Sequence, residues 1–396
     1  MNRVYLDHAA TTPLRSEALD AMLPFLRGDF ANPSSPHSSG QRVRAALDEA
    51  REKTAAAIGA KPSEIVFTGS GSEADCQAIF GIMDAQRERG KHFITSAIEH
   101  HAILHAADAL RARGARVTIL PVDGEGTVDK RALREALDDD AVLVSIMHGN
   151  NEIGTLQPIA ELAAIAHEGG ALMHSDGVQT VGHVPLDVKQ LGVDALSLSG
   201  HKFEGPKGAG ALYLRKGVAC TPLIFGGGQE SGFRAGTENV AGIVGLATAL
   251  DLAGREIDDT APRIARLRDR LIDGILATVP ASAVNGSRTA RLPNNANLRF
   301  DDIEGQTVVI ALDQEGFETS TGSACTSGSL EPSHVLTALG LEPVTARGSV
   351  RFSLGRSTTD DSIERLLLLV PGIIQRLRSL SGVLLAQAPG VAGGAG

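Results

Sequence analysis

Short apolar stretches alternate with longer Ala-, Leu-, Arg- and Glu-rich stretches over the first 257 residues. This alternation constrains the fold strongly, because strand, helix, strand at such spacing favours a mostly parallel sheet with helices on both faces. The predicted strands lie at 64–68, 92–96, 116–120, 142–146, 171–174, 193–198 and 209–214. The predicted helices between them include 73–89, 101–113, 130–138 and 158–168. The fold class is therefore α/β, with a mostly parallel seven-stranded sheet.

The pattern changes at the polar run 258–262, which we predict to separate two units. A new helix is predicted at 263–278, because apolar residues recur there at spacings of three and four and mark one buried face. These residues are Ile264, Leu267, Leu271 and Ile275. We predict a large domain at 16–257, a smaller α+β domain that combines 1–15 with 258–385, and a disordered Gly-rich tail at 386–396.

Composition narrows the class of protein. The net charge is -10 and no long basic run occurs, which argues against nucleic acid or an anionic membrane as a primary partner. No apolar signal region opens the chain, and no run of 18 apolar residues occurs. The three widely spaced cysteines, Cys76, Cys220 and Cys325, fit neither a disulfide framework nor a Cys-x-x-Cys zinc site. We therefore predict a cytoplasmic protein without a metal site.

Two charged residues follow neighbouring apolar runs. Asp176 comes at the end of the run near 171–174, and Lys202 closely follows the run at 193–198. A lysine at this place is most simply a surface residue, but a desolvated lysine amine can form a Schiff base with an aldehyde. If that aldehyde belongs to a cofactor with a pyridine ring, an acid such as Asp176 could face the pyridinium nitrogen of the ring. Together the pair predicts a site for pyridoxal phosphate.

A Gly- and Ser-rich turn at 68–73 stands between a predicted strand and a predicted helix. The free amide groups of a helix N-terminus are a ready phosphate site. The same turn also satisfies a dinucleotide-binding fingerprint through Gly69, Gly71 and Ala74, so an NAD-dependent dehydrogenase is an alternative. That alternative requires an acid about 20 residues later. Glu99 lies too far along the chain, and the dehydrogenase leaves Lys202 without a task.

Three histidines stand close together in the sequence. His101 and His105 are one helical turn apart, which is a possible spacing for a metal pair. No third ligand of suitable type lies nearby in the sequence, so we favour surface or partly buried histidines over a metal site. His100 has an imidazole that can exchange protons near neutral pH.

Seven motifs in order resemble those of the group I (NifS/IscS-like) cysteine desulfurases, in the class V aminotransferase superfamily. They are YLDHAATTP at 5–13, IEHH at 98–101, NNEIG at 150–154, SGHK at 199–202, RAGT at 234–237, GSACTS at 322–327 and SVRFSLGR at 349–356. The resemblance covers nearly the whole chain. It implies the fold of type I pyridoxal phosphate enzymes and a symmetric homodimer.

The resemblance also implies roles for individual residues. His100 would stack on the cofactor ring and move protons, Gln179 would bind the ring oxygen, and Asn151 would lie beside that oxygen and the substrate carboxylate. Arg351 would bind the carboxylate. The phosphate contacts would be Gly71, Ser72, Ser199, His201 and, from the neighbouring subunit, Thr237. Gly71 and Ser72 stand where the family more often has Ala-Thr.

Cys325 lies in a small, polar, Gly-punctuated segment that predicts a mobile exposed loop. The resemblance implies that it receives sulfur from L-cysteine as a persulfide and passes it to an acceptor, either an iron–sulfur scaffold or a thiolation enzyme for tRNA or cofactors. A selenocysteine lyase, a small-substrate class V aminotransferase and a non-enzymatic assembly scaffold are the alternatives. The scaffold would leave Lys202 and Asp176 without a task.

Overall fold

The computed structural model describes residues 3–322 and 332–387. Within these ranges the chain forms two packed units, each with its own sheet and apolar core. The helices are α1 Ser16–Arg27, α2 Ser38–Ala57, α3 Gly71–Ala85, α4 His101–Ala112, α5 Lys130–Ala136, α6 Ile159–Glu168, α7 Val188–Leu191, α8 Val240–Thr278, α9 Gly305–Gln314, α10 His334–Ala338, α11 Pro343–Arg347 and α12 Asp360–Gln387. The strands are β1 Val4–Tyr5, β2 Ile65–Thr68, β3 His92–Ser96, β4 Arg116–Leu120, β5 Ala141–Ser145, β6 Leu172–Asp176, β7 Ala195–Ser199, β8 Gly210–Leu214, β9 Ser282–Val284, β10 Asn295–Phe300, β11 Phe317–Glu318 and β12 Ser349–Ser353.

The first unit is built on a seven-stranded sheet in the order β2-β8-β7-β6-β5-β3-β4. Only β8 runs against its neighbours, so the prediction of a mostly parallel seven-stranded sheet is confirmed. Apart from the edge strand β4, its strands are buried on both faces, as the near-continuous apolar runs require. In β2, Ile65 and Phe67 belong to one core cluster, whereas Val66 belongs to the cluster on the opposite face.

The second unit has a three-stranded antiparallel sheet in the order β9-β10-β12, and a parallel pair formed by β1 and β11. The N-terminal strand therefore pairs with a strand more than 300 residues later in the chain. Helices α9 and α12 pack on this unit, and Leu298, Phe352 and Leu366 are among its buried side chains.

Helix α8 joins the two units, and here the sequence prediction of a break was wrong. The helix runs without interruption through 258–262 and past Pro262. Asp258, Asp259 and Pro262 are exposed. Proline has no N–H to donate to the carbonyl group one turn earlier in the helix, but water can donate a hydrogen bond to that group instead. The predicted buried face is confirmed: Ile264, Leu267, Leu271 and Ile275 all pack in the second core.

The last helix continues to Gln387 and so includes the first two residues of the predicted tail, and the rest of that tail lies outside the described residues. Among the residues that the structure describes, no helix combines the length and apolar character needed to cross a membrane.

Candidate functional site

A cavity of about 350 Å³ opens where β5, β6 and β7 end, at the contact between the two units. The carboxyl edge of a mostly parallel sheet is where such folds place their ligands. Ten of the residues that line this cavity were predicted from the sequence to belong to the functional site. These are Gly71, Ser72, His100, Asn151, Asp176, Gln179, Ser199, His201, Lys202 and Arg351.

Lys202 lies one short 3-10 turn beyond the end of β7. Its Nζ donates hydrogen bonds to the carbonyl oxygens of Ala9 and Ala10, at 2.7 and 2.9 Å. The N-terminal arm therefore holds the amine at the cavity wall. These two carbonyl groups belong to the 5–13 motif, for which the sequence analysis offered no structural role.

Asp176 ends the neighbouring strand β6 and is buried. Its Oδ1 accepts a hydrogen bond from the backbone N–H of Val178 at 2.8 Å. Burial raises the pKa of this carboxyl group, while the Val178 N–H and the charge of Lys202 oppose the rise. Asp176 and Lys202 thus face one cavity from adjacent strands, as the sequence predicted.

The start of α3 forms a concave anion cradle next to the Lys202 turn. Gly71 is the first residue of this helix, and a Cβ there would lie 2.7 Å from Val178 Cγ2 and 3.2 Å from Ser199 Cβ. A Cβ there would require the Val178 side chain to move. Ser72 and His201 line the same corner, where the free amide groups and dipole of the helix favour negative charge.

His100 caps the N-terminus of α4. Its Nδ1 accepts a hydrogen bond from the Ala102 N–H at 3.1 Å, so the neutral ring carries its proton on Nε2. Burial, and then the charge of Lys202, lower the pKa of His100 to about 4. At neutral pH this imidazole is therefore an uncharged hydrogen-bond donor in the cavity wall.

Arg351, on β12, is the second unit's cationic contribution to the cavity. Its guanidinium group donates to the carbonyl oxygens of Asn151 and Gly322, at 2.8 and 3.1 Å, and pairs with Asp7 at 2.7 Å. The Nε is buried and has no hydrogen-bond partner among the described residues. A fully buried guanidinium group with an unused donor is suited to an incoming carboxylate.

Gln179 is buried, and its Nε2 donates to the carbonyl oxygen of Ala9 at 3.0 Å. The same carbonyl group accepts from Lys202, so one backbone oxygen aligns two of the predicted site residues. His201 Nδ1 lies 3.1 Å from the hydroxyl of Thr11, which ties a third site residue to the same arm.

Two predicted site residues are not among the described residues that line this cavity. Thr237 is exposed and stands before α8, so its proposed contact across a subunit interface stays a prediction. Cys325 lies outside the described residues. Described residues on either side of it in the sequence, Gly322 and His334, belong to the lining of the cavity.

His101 stacks with His105 at 5.2 Å between ring centroids and lies 4.7 Å from the ring of His334. In the described part of the chain, no group of three or more potential ligands is arranged to hold a metal ion.

The sequence analysis missed three acidic residues around this cavity. Asp75 and Glu152 belong to its lining, and Asp7 binds Arg351 from outside. Asp75 could have been found, because it follows Gly71 by one helical turn and so lies above it on the same helix face. The place of Asp7 depends on pairing between β1 and β11, which no local pattern reveals.

Comparisons with known proteins agree with this geometry. The family model of class V aminotransferases matches residues 4–366. This chain belongs to the cysteine desulfurases of that family. It is 53% identical over 378 residues to cysteine desulfurase IscS of Methanosarcina thermophila, covering 96% of this chain and 93% of the relative. It is 52% identical to the IscS of Dictyoglomus turgidum, covering 96% of each. A solved structure of a NifS-like protein superposes with a TM-score of 0.89 at 37% identity, covering 95% of this chain and all of that one.

Proposed function

We propose that the protein is a pyridoxal phosphate-dependent L-cysteine desulfurase, which converts L-cysteine to L-alanine and holds the sulfur as a persulfide on Cys325. The observation that carries the proposal is the convergence of Lys202, Asp176 and Arg351 on one cavity from two structural units. Family membership supports the same reaction.

The cavity wall fits pyridoxal phosphate. A cofactor of this kind needs a lysine amine, an acid, and an anion site on one side of a cavity, and Lys202, Asp176 and the cradle at Gly71 stand in that relation. We expect Lys202 to hold the cofactor covalently, Asp176 to hold its ring nitrogen, and Gly71, Ser72, Ser199 and His201 to hold its phosphate. Gln179 and His100 would contact the ring, and Thr237 would come from the partner subunit. When bound, pyridoxal phosphate supplies an electron sink for bonds to the substrate α-carbon.

The protein's own residues would then perform three tasks. Arg351 binds the carboxylate of L-cysteine through its guanidinium group, with Asn151 beside it. Lys202 Nζ removes the α-proton and later returns a proton to the product. The Cys325 thiolate attacks the substrate sulfur, so that a sulfur–sulfur bond forms as the carbon–sulfur bond breaks. One L-cysteine and one thiol thus give one L-alanine and one persulfide.

We propose that the persulfide passes to an acceptor protein, either an iron–sulfur scaffold or a thiolation enzyme, and that the working unit is a cytoplasmic homodimer. The described surface supports association: Phe225 is 78% exposed and Ile224 39% exposed within the Gly-rich segment that leads to Thr237. Contiguous exposed apolar residues mark interaction surfaces.

The direct test is to incubate the purified, cofactor-loaded protein with L-cysteine and a thiol reductant, and to measure alanine and sulfide. We expect equal amounts of both, over many turnovers. A protein that releases alanine only from selenocysteine, or that transfers the amino group to a keto acid, would instead be the lyase or the aminotransferase.

A further inference from the structure

Asp75 is a buried acid in the cavity wall that the proposed mechanism does not use. It lies on α3, one turn after Gly71, and only 1% of it is exposed. Its Oδ1 is buried and accepts no hydrogen bond from the described residues. An ionised carboxylate in such a place is costly, because the Ser197 hydroxyl only partly offsets its desolvation.

Among the described residues, the groups that shift the pKa of Asp75 include no cation. His174 Nε2 lies 3.8 Å from Asp75 Oδ1, but burial lowers the pKa of His174 to about 3, so this imidazole is neutral at physiological pH. Both ring nitrogens of His174 are occupied by the hydroxyl groups of Ser145 and Ser197, at 2.8 and 2.9 Å.

The other titratable groups that act on Asp75 are acids. Asp176 and then Glu99 oppose its ionisation, and the Ser197 hydroxyl only partly offsets them. Burial, together with the charge of Asp176, raises the pKa of Asp75 well above its ordinary value. The two carboxyl groups line one cavity, and a negative charge on Asp176 disfavours a second negative charge on Asp75.

We propose that Asp75 is a positioning residue that carries a proton as a neutral acid and so leaves the negative charge of this wall on Asp176 alone. The proton belongs on Asp75 because its Oδ1 accepts nothing, whereas Asp176 accepts the Val178 N–H and faces Lys202. Asp176 is then the ionised group that meets a ring nitrogen. This inference concerns the full chain itself and holds or fails independently of the sulfur chemistry.

The difference in the pKa of Asp75 between the folded and unfolded protein determines how pH changes the folding stability. A carboxyl group whose pKa is higher in the folded than in the unfolded protein stabilises the fold at low pH. That stabilisation is lost as pH rises through the folded pKa. Asp75→Asn replaces a neutral acid by a neutral amide of similar shape and should remove this loss. Each unit of pKa elevation corresponds to about a tenfold change in the folding equilibrium constant.

The test is urea unfolding of the cofactor-free full chain, wild type and Asp75→Asn, between pH 5.5 and 9. We expect the folding constant of Asp75→Asn relative to wild type to rise by roughly tenfold or more over this range. The matched variant Asp176→Asn should keep part of the wild-type pH dependence, because Asp75 remains buried in it. A ratio for Asp75→Asn that is flat, or that falls as pH rises, would overturn the proposal.

Infrared spectroscopy gives a second readout that does not depend on the stability of any variant. Burial raises the pKa of Glu99 to about 8, so Glu99 also contributes a protonated-carboxyl band near neutral pH. The intensity of this absorption in the wild-type chain should therefore fall in Asp75→Asn and stay unchanged in Asp176→Asn. If instead Asp176→Asn lowers the intensity and Asp75→Asn does not, the proton belongs to Asp176 and the assignment is wrong.

Discussion

The two sides of the cavity are held by different means. We call the side formed by Asp176, Ser199, His201 and Lys202 the cofactor wall; it lies at or just beyond the ends of central strands whose ladders fix it directly. The opposite side, which we call the substrate rim, consists of Gly322, His334 and Arg351. These three come from separate parts of the second unit. Arg351 lies on β12, and the side chains of Arg351 and His334 contact the first unit and the N-terminal arm. The carbonyl oxygen of Gly322 accepts a hydrogen bond from Arg351.

This difference indicates a division of work. A wall fixed by a sheet suits a cofactor that stays in place through every turnover. A rim assembled from distant segments can adjust as substrate enters and product leaves. Substitutions in the cofactor wall should therefore abolish the catalysed reaction. Substitutions in the substrate rim should weaken substrate binding more than they slow the reaction.

Lys202→Ala should reduce alanine production by roughly a thousandfold or more, because the amine that moves the α-proton is gone. Borohydride should also no longer fix the cofactor to the protein. Lys207→Ala is the matched control, since Lys207 is an exposed lysine on the same loop. Steady-state alanine release measures both variants. Near-normal turnover in Lys202→Ala would show that Lys202 of the cofactor wall is not required for the reaction.

Cys325→Ala should reduce the rate of sulfur transfer by a similar factor, because no thiolate remains to accept the sulfur. Cofactor binding should be unchanged. Cys76→Ala and Cys220→Ala are the controls. Burial raises the pKa of both thiols, that of Cys220 to about 11, so neither is a ready nucleophile at neutral pH. Sulfide release and the visible spectrum of the bound cofactor should therefore separate Cys325 from the other two cysteines.

Arg351→Lys should raise KM for L-cysteine about 10- to 100-fold and change kcat much less. An ammonium group cannot reproduce the guanidinium fork, and a hydrogen bond to a charged group contributes about 1.5–3 kcal/mol. Arg356→Lys, whose ion pair with Glu204 is at the surface, serves as the control and should change KM little. A fall in kcat at unchanged KM would mean that the rim takes part in the chemistry.

His148→Gln should make the folding stability less sensitive to acid. Burial lowers the pKa of His148 to about 4, below its unfolded value near 6.5, so wild type is fully stabilised above 6.5 and loses stability as pH falls toward 4. The loss from this group should be roughly 1–2 kcal/mol at pH 5. Urea unfolding at pH 7 and 5 measures it, with the exposed His105→Gln as control. Equal pH dependence in wild type and His148→Gln would contradict the assignment.

Acid should therefore act on the first unit before the second. Three buried histidines, His92, His148 and His174, belong to the first unit, whereas the second unit holds one, His8 of the N-terminal arm, together with His334. Tryptic digestion at pH 5 should cut the first unit sooner than the second.

The sequence predicted the cofactor wall better than the rim. Asp176 and Lys202 could be placed because strand periodicity and the residues just after each strand are local patterns. The continuity of α8 was missed because the exposed proline and aspartates looked like a helix end, although tertiary packing at both ends of the helix holds it together. Asp7 and Glu152 were missed because their contacts join segments more than 150 residues apart in the chain.

The most direct test of the account is mass spectrometry of the intact and digested protein after brief exposure to L-cysteine without a reductant. We predict one additional sulfur on the peptide that contains Cys325, formed together with one equivalent of alanine, and no such mass in Lys202→Ala. Additional sulfur on Cys76 or Cys220, or alanine formed at the full rate by Cys325→Ala, would contradict the proposed function.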